Sequence, residues 1–223
     1  MPFRNLSALP LFQGMSINHL HEASMQINIA TITVPPRKTV LHSGDLADKL
    51  LFLAHGSVTA TRLADDGGYA VSEVLTAPDV LQPECIFGLT QRFTHTIVAR
   101  TPCTFVRISK PHILRLAGSY EIFRINLLNI TCTKAQRSGR IPWRTIPTDI
   151  RGKIAHFAQE HCLRPAGEKT LHIKMQRLAD EIGESRLNVS KTLRQMQQEG
   201  VIALRREEIH IPAMEMIEGK SKQ

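Results

Sequence analysis

The chain has 223 residues, 42% of them hydrophobic, with 28 Lys+Arg against 20 Asp+Glu and a formal net charge of +8. That length suits one large domain or two small ones, and the apolar content is ample for packed cores. No apolar run approaches the length that spans a bilayer, and the first residues lack the charged, apolar and small-residue order of a signal peptide, so a soluble cytoplasmic protein with no membrane attachment is expected. Cys85, Cys103, Cys132 and Cys162 are far apart with no C-x-x-C pair, which signals neither a disulfide framework nor a structural zinc site. The basic excess points to a polyanionic partner. It divides evenly on either side of Arg140, so position says more than net charge.

From 32 to 108 the chain reads as short β-branched or alternating segments broken by turn residues, the pattern of a small antiparallel β-domain. Strands are predicted at 31–34, 40–41, 50–53, 57–62, 71–75, 96–99 and 104–108. Between them, Pro35-Pro36, Ser43-Gly44-Asp45, His55-Gly56 and Asp65-Asp66-Gly67-Gly68 supply the fixed or positive φ angles of tight turns. Asp66-Gly67 is a strong hairpin signal.

Past Pro111 the period becomes helical, and 119–136 holds neither Gly nor Pro, which predicts one long helix. Ile125, Leu128, Cys132 and Ala135 recur at spacings of three and four, while Phe123, Leu127 and Ile130 cluster about half a turn away. Two apolar faces want two partners. One is expected to cover the chain's own β-domain and the other, the Ile125 stripe, to meet the same helix of a second subunit across a two-fold axis. Burial of the whole helix inside one subunit fits less well, because the stripe has the narrow spacing of a coiled-coil seam.

A Pro-interrupted basic stretch at 138–147, with Arg140, Trp143 and Arg144, reads as a hinge where a second domain starts. Thr148 is placed to cap a helix with Ile150, Ile154, Phe157 and Ala158 on one face, ended by Arg164-Pro165-Ala166-Gly167. The tail at 220–223 is expected to be disordered.

Residues 174–199 carry the most information. A helix with Met175, Leu178, Ala179 and Ile182 inward is followed by a Gly183-Glu184 turn and a Ser185-capped helix with Val189, Leu193 and Met196 inward. That is a helix-turn-helix pattern, in which the small Ala179 allows close approach and Gly183 takes the sharp turn. Val201-Ile202-Ala203-Leu204 and Ile209-His210-Ile211, flanking Arg205-Arg206-Glu207-Glu208, read as a β-hairpin wing, to which Leu171-His172-Ile173 adds a third strand. The second helix is suited to the major groove. Arg186 can pair with guanine O6 and N7, Asn188 and Lys191 can reach a base edge or phosphate, and Leu187 can touch a thymine methyl. Ser185, Ser190 and Thr192 are candidate phosphate contacts. An ordinary helical hairpin with a solvated polar face is the competing reading; the wing and the basic outward face argue against it.

At this point the sequence resembles the cyclic-AMP receptor protein/FNR superfamily, from about Pro10-Leu11-Phe12 to Ile211. Leu41-His42-Ser43-Gly44-Asp45, Leu51-Phe52-Leu53-Ala54-His55-Gly56-Ser57-Val58 and Val98-Ala99-Arg100-Thr101 look like its β-roll. Ile182-Gly183-Glu184-Ser185-Arg186 and Val189-Ser190-Lys191-Thr192-Leu193 look like its DNA-reading unit. The resemblance implies an α+β fold: an N-terminal double-stranded β-helix, jelly-roll-like and of cyclic-nucleotide-binding type, at 1–115, a dimerisation helix at 116–140, and a C-terminal winged helix-turn-helix at 141–223. It implies a homodimer, a two-fold symmetric double-stranded DNA operator, contact with RNA polymerase, and an effector that alters the spacing of the reading helices.

The departures from the family pattern matter as well. Where the family has Arg, often Glu, and later Arg in its reading helix, this chain has Arg186, Leu187 and Lys191, so a carboxylate that could accept from cytosine N4 is missing. Cyclic-nucleotide-binding members hold the ribose with Gly-Glu and the phosphate with Arg-Ser or Arg-Thr; here the positions read Pro83-Glu84 and Phe93-Thr94. Arg92, one place earlier, would point the other way on a strand. Cyclic AMP in the familiar pose is therefore not expected, and Glu84, Phe93 and Thr94 bound a divergent effector pocket. The iron-sulfur cluster of the FNR branch is not expected either, since no cysteine precedes Cys85. His42, His55 and His95 leave haem open as a cofactor, with a haem-dependent gas or nitrosative-stress sensor as the alternative, though their spacing gives it no support. A regulatory module acting through protein contacts without DNA is the alternative of another class. No Walker loop, nucleophile elbow, zincin helix or paired-carboxylate arrangement suggests an enzyme, and no metal site is signalled.

Overall fold

The structure is a computed structural model that describes residues 6–27, 29–140, 143 and 145–218; Arg144 of the expected hinge and the expected tail at 220–223 lie outside the described residues. Its contacts divide the chain into two units, 1–59 with 75–140, and 60–74 with 141–223.

The first unit is built on short strands: β1 (Ala30–Val34), β2 (Thr39–Leu41), β3 (Lys49–His55), the start of β4 (Ser57–Leu63), the end of β5 (Tyr69–Thr76), β6 (Asp79–Leu81), β7 (Thr96–Ala99) and β8 (Cys103–Ser109). One antiparallel sheet runs β1-β8-β3-β6, and β2, β7 and β4 are neighbours in another. Alternation along β4 and β7 buries every second residue, Val58 and Ala60 on one strand, Ile97 and Ala99 on the other. The sequence did not mark β6. Asp79-Val80-Leu81 is too short to show a period, and it becomes a strand by pairing Leu81 with Leu51 and Val80 with Phe52. At the β3–β4 turn Gly56 has φ +93°, and a Cβ there would lie 2.5 Å from the Pro102 carbonyl oxygen, so no other residue fits.

Three helices complete this unit, α1 (Ile17–Gln26), α2 (Lys110–Ser119) and α3 (Glu121–Arg140). The expected helix over 119–136 begins later and ends later, because Tyr120 is extended with φ −124° and separates α2 from α3. Tyr120 is buried in the core beside Leu116, and that anchoring takes precedence over local helix propensity. Phe123 and Leu127 of α3 are buried against Phe12 and the roll, with the Phe12 and Phe123 rings edge-on at 5.0 Å. Asn126 fastens the same face by donating to the carbonyls of Leu11 and Gln13 at 3.2 and 2.9 Å. Burying each Phe or Leu contributes about 1.5–3 kcal/mol.

The second unit contains α4 (Ile150–Glu160), β9 (Lys169–Ile173), α5 (Met175–Glu181), α6 (Arg186–Gln198), β10 (Ala203–Arg205), β11 (Glu208–Ile211) and α7 (Met214–Glu218). Asp149, not Thr148, caps α4: it directly precedes the first helical residue, and its carboxylate accepts the Gly152 N–H at 2.8 Å. The wing is antiparallel, β10-β11-β9, with the expected third strand in place. A fourth strand comes from 60–74: β5 pairs with β9 from Tyr69↔Ile173 to Glu73↔Lys169. The core is Ile154, Phe157, Leu171, Leu178, Val189, Leu193, Met196, Ile209 and Ile211 with Val71 of β5. Among the described residues no helix is long and apolar enough to cross a membrane.

Candidate functional site

The second unit presents α6 with one face buried and the other free. Val189, Leu193 and Met196 point inward, while Arg186, Leu187, Asn188 and Lys191 are exposed and Ser190 is half-buried. Ser185 adopts the extended backbone of a cap, and its hydroxyl accepts the Asn188 N–H at 3.2 Å. Gly183, at φ +65°, turns the chain between α5 and α6, and the Glu184 N–H closes the turn on the Ala179 carbonyl at 2.9 Å. Leu187 is 79% exposed.

Two ion pairs that sequence reasoning missed hold α6 at both ends. Lys153 of α4 binds Glu184 just before the helix, and Arg151 of α4 binds Glu199 at its C-cap, the latter at 2.6 Å. Each neutralises a carboxylate at one end of α6, and together they fix the helix to α4. Only the fold reveals them, because the partners are more than thirty residues apart. Between the start of α6 and the wing lies an open cleft of about 380 Å³ lined by Lys174, Gln176, Arg186 and Arg205 together with the carboxylates of Glu207 and Glu208. Arg177 faces elsewhere: it bridges Asp66 and Glu181 at 2.7 and 2.6 Å and stacks over the Tyr69 ring. The Gly68 N–H, with Arg177 beside it, holds the Asp66 carboxyl below the usual carboxylate range.

In the first unit the two stripes of α3 differ in burial. Phe123 and Leu127 are buried and Ile130 is half-buried, whereas Ile125 is 45% exposed, Leu128 is 54% exposed, and Cys132 and Ala135 are also exposed.

The residues expected to bound an effector pocket are each engaged within the roll. Glu84 sits in a 3-10 turn, Pro83–Cys85, with its carboxylate bonded to Lys134 of α3 at 2.6 Å. Phe93 is buried in the core. Thr94 donates both its N–H and its hydroxyl to Gln82 Oε1, at 2.8 and 3.0 Å. Gln82 was not singled out from sequence; nothing in its surroundings marks a buried carboxamide. The Arg92 guanidinium donates to the Gly44 carbonyl at 2.7 Å. His42 and His55 are exposed, and His95 is buried with Nδ1 2.8 Å from the Thr94 hydroxyl. Burial pushes the Cys85 thiol above its ordinary value, with the Glu84 carboxylate adding to the effect.

Two known families match successive parts of the chain. The cyclic nucleotide-binding domain family matches residues 31–120, and the Crp-like helix-turn-helix domain family matches 152–219. The chain is 23% identical to the cAMP-activated global transcriptional regulator CRP of Pasteurella multocida, over 76% of this chain and 83% of that one. It is 25% identical to the nitrogen fixation regulation protein FixK of Rhizobium meliloti, over 86% and 87%. The crystal structure of the Thermus thermophilus catabolite activator protein superposes with a TM-score of 0.54 at 19% identity, covering 94% of this chain and 96% of that one, which supports the fold. A cyclic-nucleotide-binding-type roll in one chain with a winged helix-turn-helix defines a DNA-binding transcription regulator. More particularly, the chain belongs to the Crp/FNR family.

Proposed function

We propose that the protein is a cytoplasmic, dimeric regulator that reads a two-fold symmetric operator with α6 and whose operator affinity is set by an effector acting on the roll. The observation that carries this reading is the outward first turn of α6, where Arg186, Leu187, Asn188 and Lys191 stand exposed on a helix held at both ends. In the major groove Arg186 donates to guanine O6 and N7, Asn188 and Lys191 reach a base edge or phosphate, and Leu187 covers a thymine methyl. Ser185 and Ser190, with the helix N–H groups, set register on phosphate oxygens. Lys174, which lines the same cleft as Arg186, is a further candidate for the flanking phosphates, whereas Arg205 there is paired with Glu208.

The exposed stripe of Ile125, Leu128, Cys132 and Ala135 supports pairing of α3 with its copy, which places two reading helices on successive half-sites. Glu84, Phe93 and Thr94 lie where the effector acts, and RNA polymerase is the partner of the bound dimer. None of these groups is assigned a catalytic role.

Selection of an operator from random duplexes, followed by fluorescence anisotropy at several salt concentrations, tests the reading. The affinity is expected to fall steeply with salt, with a log–log slope of about −0.9 for each phosphate contact. A protein that selects no sequence and shows no salt-dependent duplex binding would instead act through protein contacts, and the reading fails.

A further inference from the structure

Gln82 ends β6 in a left-handed conformation, φ 47° and ψ 50°, which a residue bearing a side chain adopts only under constraint from its surroundings. It is 2% exposed. The conformation aims its carboxamide at residues 94 and 95. Oε1 accepts the Thr94 N–H at 2.8 Å, the Thr94 hydroxyl at 3.0 Å and the His95 N–H at 3.0 Å, while Nε2 donates to the His95 carbonyl at 3.3 Å. The Cys85 thiol lies 4.0 Å from the same oxygen as a weak further donor. Three good donors on one oxygen, two of them successive backbone N–H groups, is the coordination that a backbone nest offers an oxyanion.

Charge explains why a neutral carboxamide fills the seat. A buried anion needs a countercharge as well as donors. Position 93, directly before the donors, is a buried phenylalanine, and Arg92 is turned to the Gly44 carbonyl. Lys134 is bonded to Glu84 at 2.6 Å, which joins the Pro83–Cys85 turn to α3 and leaves that cation paired with a carboxylate. Gln82 supplies the oxygen these donors require and brings no charge into the core.

We propose that the roll carries an oxyanion seat filled by its own Gln82 carboxamide, so that phosphate-bearing ligands, cyclic nucleotides included, do not act as effectors through it. This rests on the reading of the roll as the sensing part and narrows its effector to a molecule that does not place a phosphate in this seat.

Isothermal titration calorimetry of the full-length protein with inorganic phosphate, cyclic AMP and cyclic GMP at millimolar concentration is expected to show no saturable heat. Gln82→Met keeps the side-chain volume but removes the oxygen that accepts the Thr94 and His95 N–H groups, and is expected to lower the melting temperature by several degrees. Saturable binding of any of the three ligands by the wild type, or a Gln82→Met protein that melts with the wild type, overturns the proposal. Operator titrations of the wild type run alongside separate the two readings: absence of operator binding removes the regulator reading, whereas the seat is judged by the calorimetry and melting alone.

Discussion

On the proposed reading, Arg186 is the residue on which operator specificity turns. It opens α6, where the aligned peptide dipoles add partial positive charge to the guanidinium, and its neighbours Leu187 and Asn188 are exposed with it. Arg186→Ala is expected to cost about 1–3 kcal/mol per half-site and to relax base preference at one position, read by anisotropy against a panel of single-base operator variants. A variant that loses affinity equally for every sequence would recast Arg186 as a phosphate contact. Lys191 sits farther along the helix as a flexible point charge in place of a planar fork, so its replacement is expected to weaken all sequences alike.

At the scale of elements, the pairing of β5 with β9 is held by a buried charge. Glu73 and Lys169 are 2% and 1% exposed at the side chain and bonded at 2.9 Å, and the Glu73 carboxylate also accepts the backbone N–H groups of Leu163 and Arg164. Such a pair adds little net stability over apolar residues of the same volume, but breaking it strands a charge. Glu73→Ala is expected to destabilise the protein by about 3–5 kcal/mol in urea denaturation and to speed amide exchange along β5 and β9. Leu at both positions should recover most of that loss, since no unpaired ion remains. Equal stability of Glu73→Ala and wild type would show that solvent reaches the pair.

For the whole molecule the telling surface is the outer stripe of α3. Phe123 and Leu127 are already spent on the roll's core, leaving Ile125 and Leu128 exposed at 45% and 54% on the other side of the same helix. A second copy is the partner proposed for this stripe, in keeping with its coiled-coil spacing. Leu128→Asp would bury an ion without a partner in that seam, and sedimentation equilibrium is expected to show monomer where the wild type gives dimer. Operator affinity should fall with it, because two half-sites are then read independently. A Leu128→Asp protein that remains a dimer would place the interface elsewhere.

Periodicity alone was enough for the β-rich first half, the helix-turn-helix and the wing, because burial of one face imposes a period of two on strands and about three and a half on helices. The same logic separated the two stripes of α3 and identified the exposed turn of α6. What the sequence could not carry were contacts between residues distant in the chain. The three-residue β6, the addition of β5 to β9, the Glu73–Lys169 pair, the clamping of α6 by Lys153 and Arg151, and the Gln82 seat leave no local pattern. Tyr120 breaks a helix that its neighbours would continue, and Asp149 takes a cap that Thr148 could equally have held. Local spacing decides which face of an element is apolar; only the packed chain decides which partner that face meets and which buried polar groups must satisfy one another.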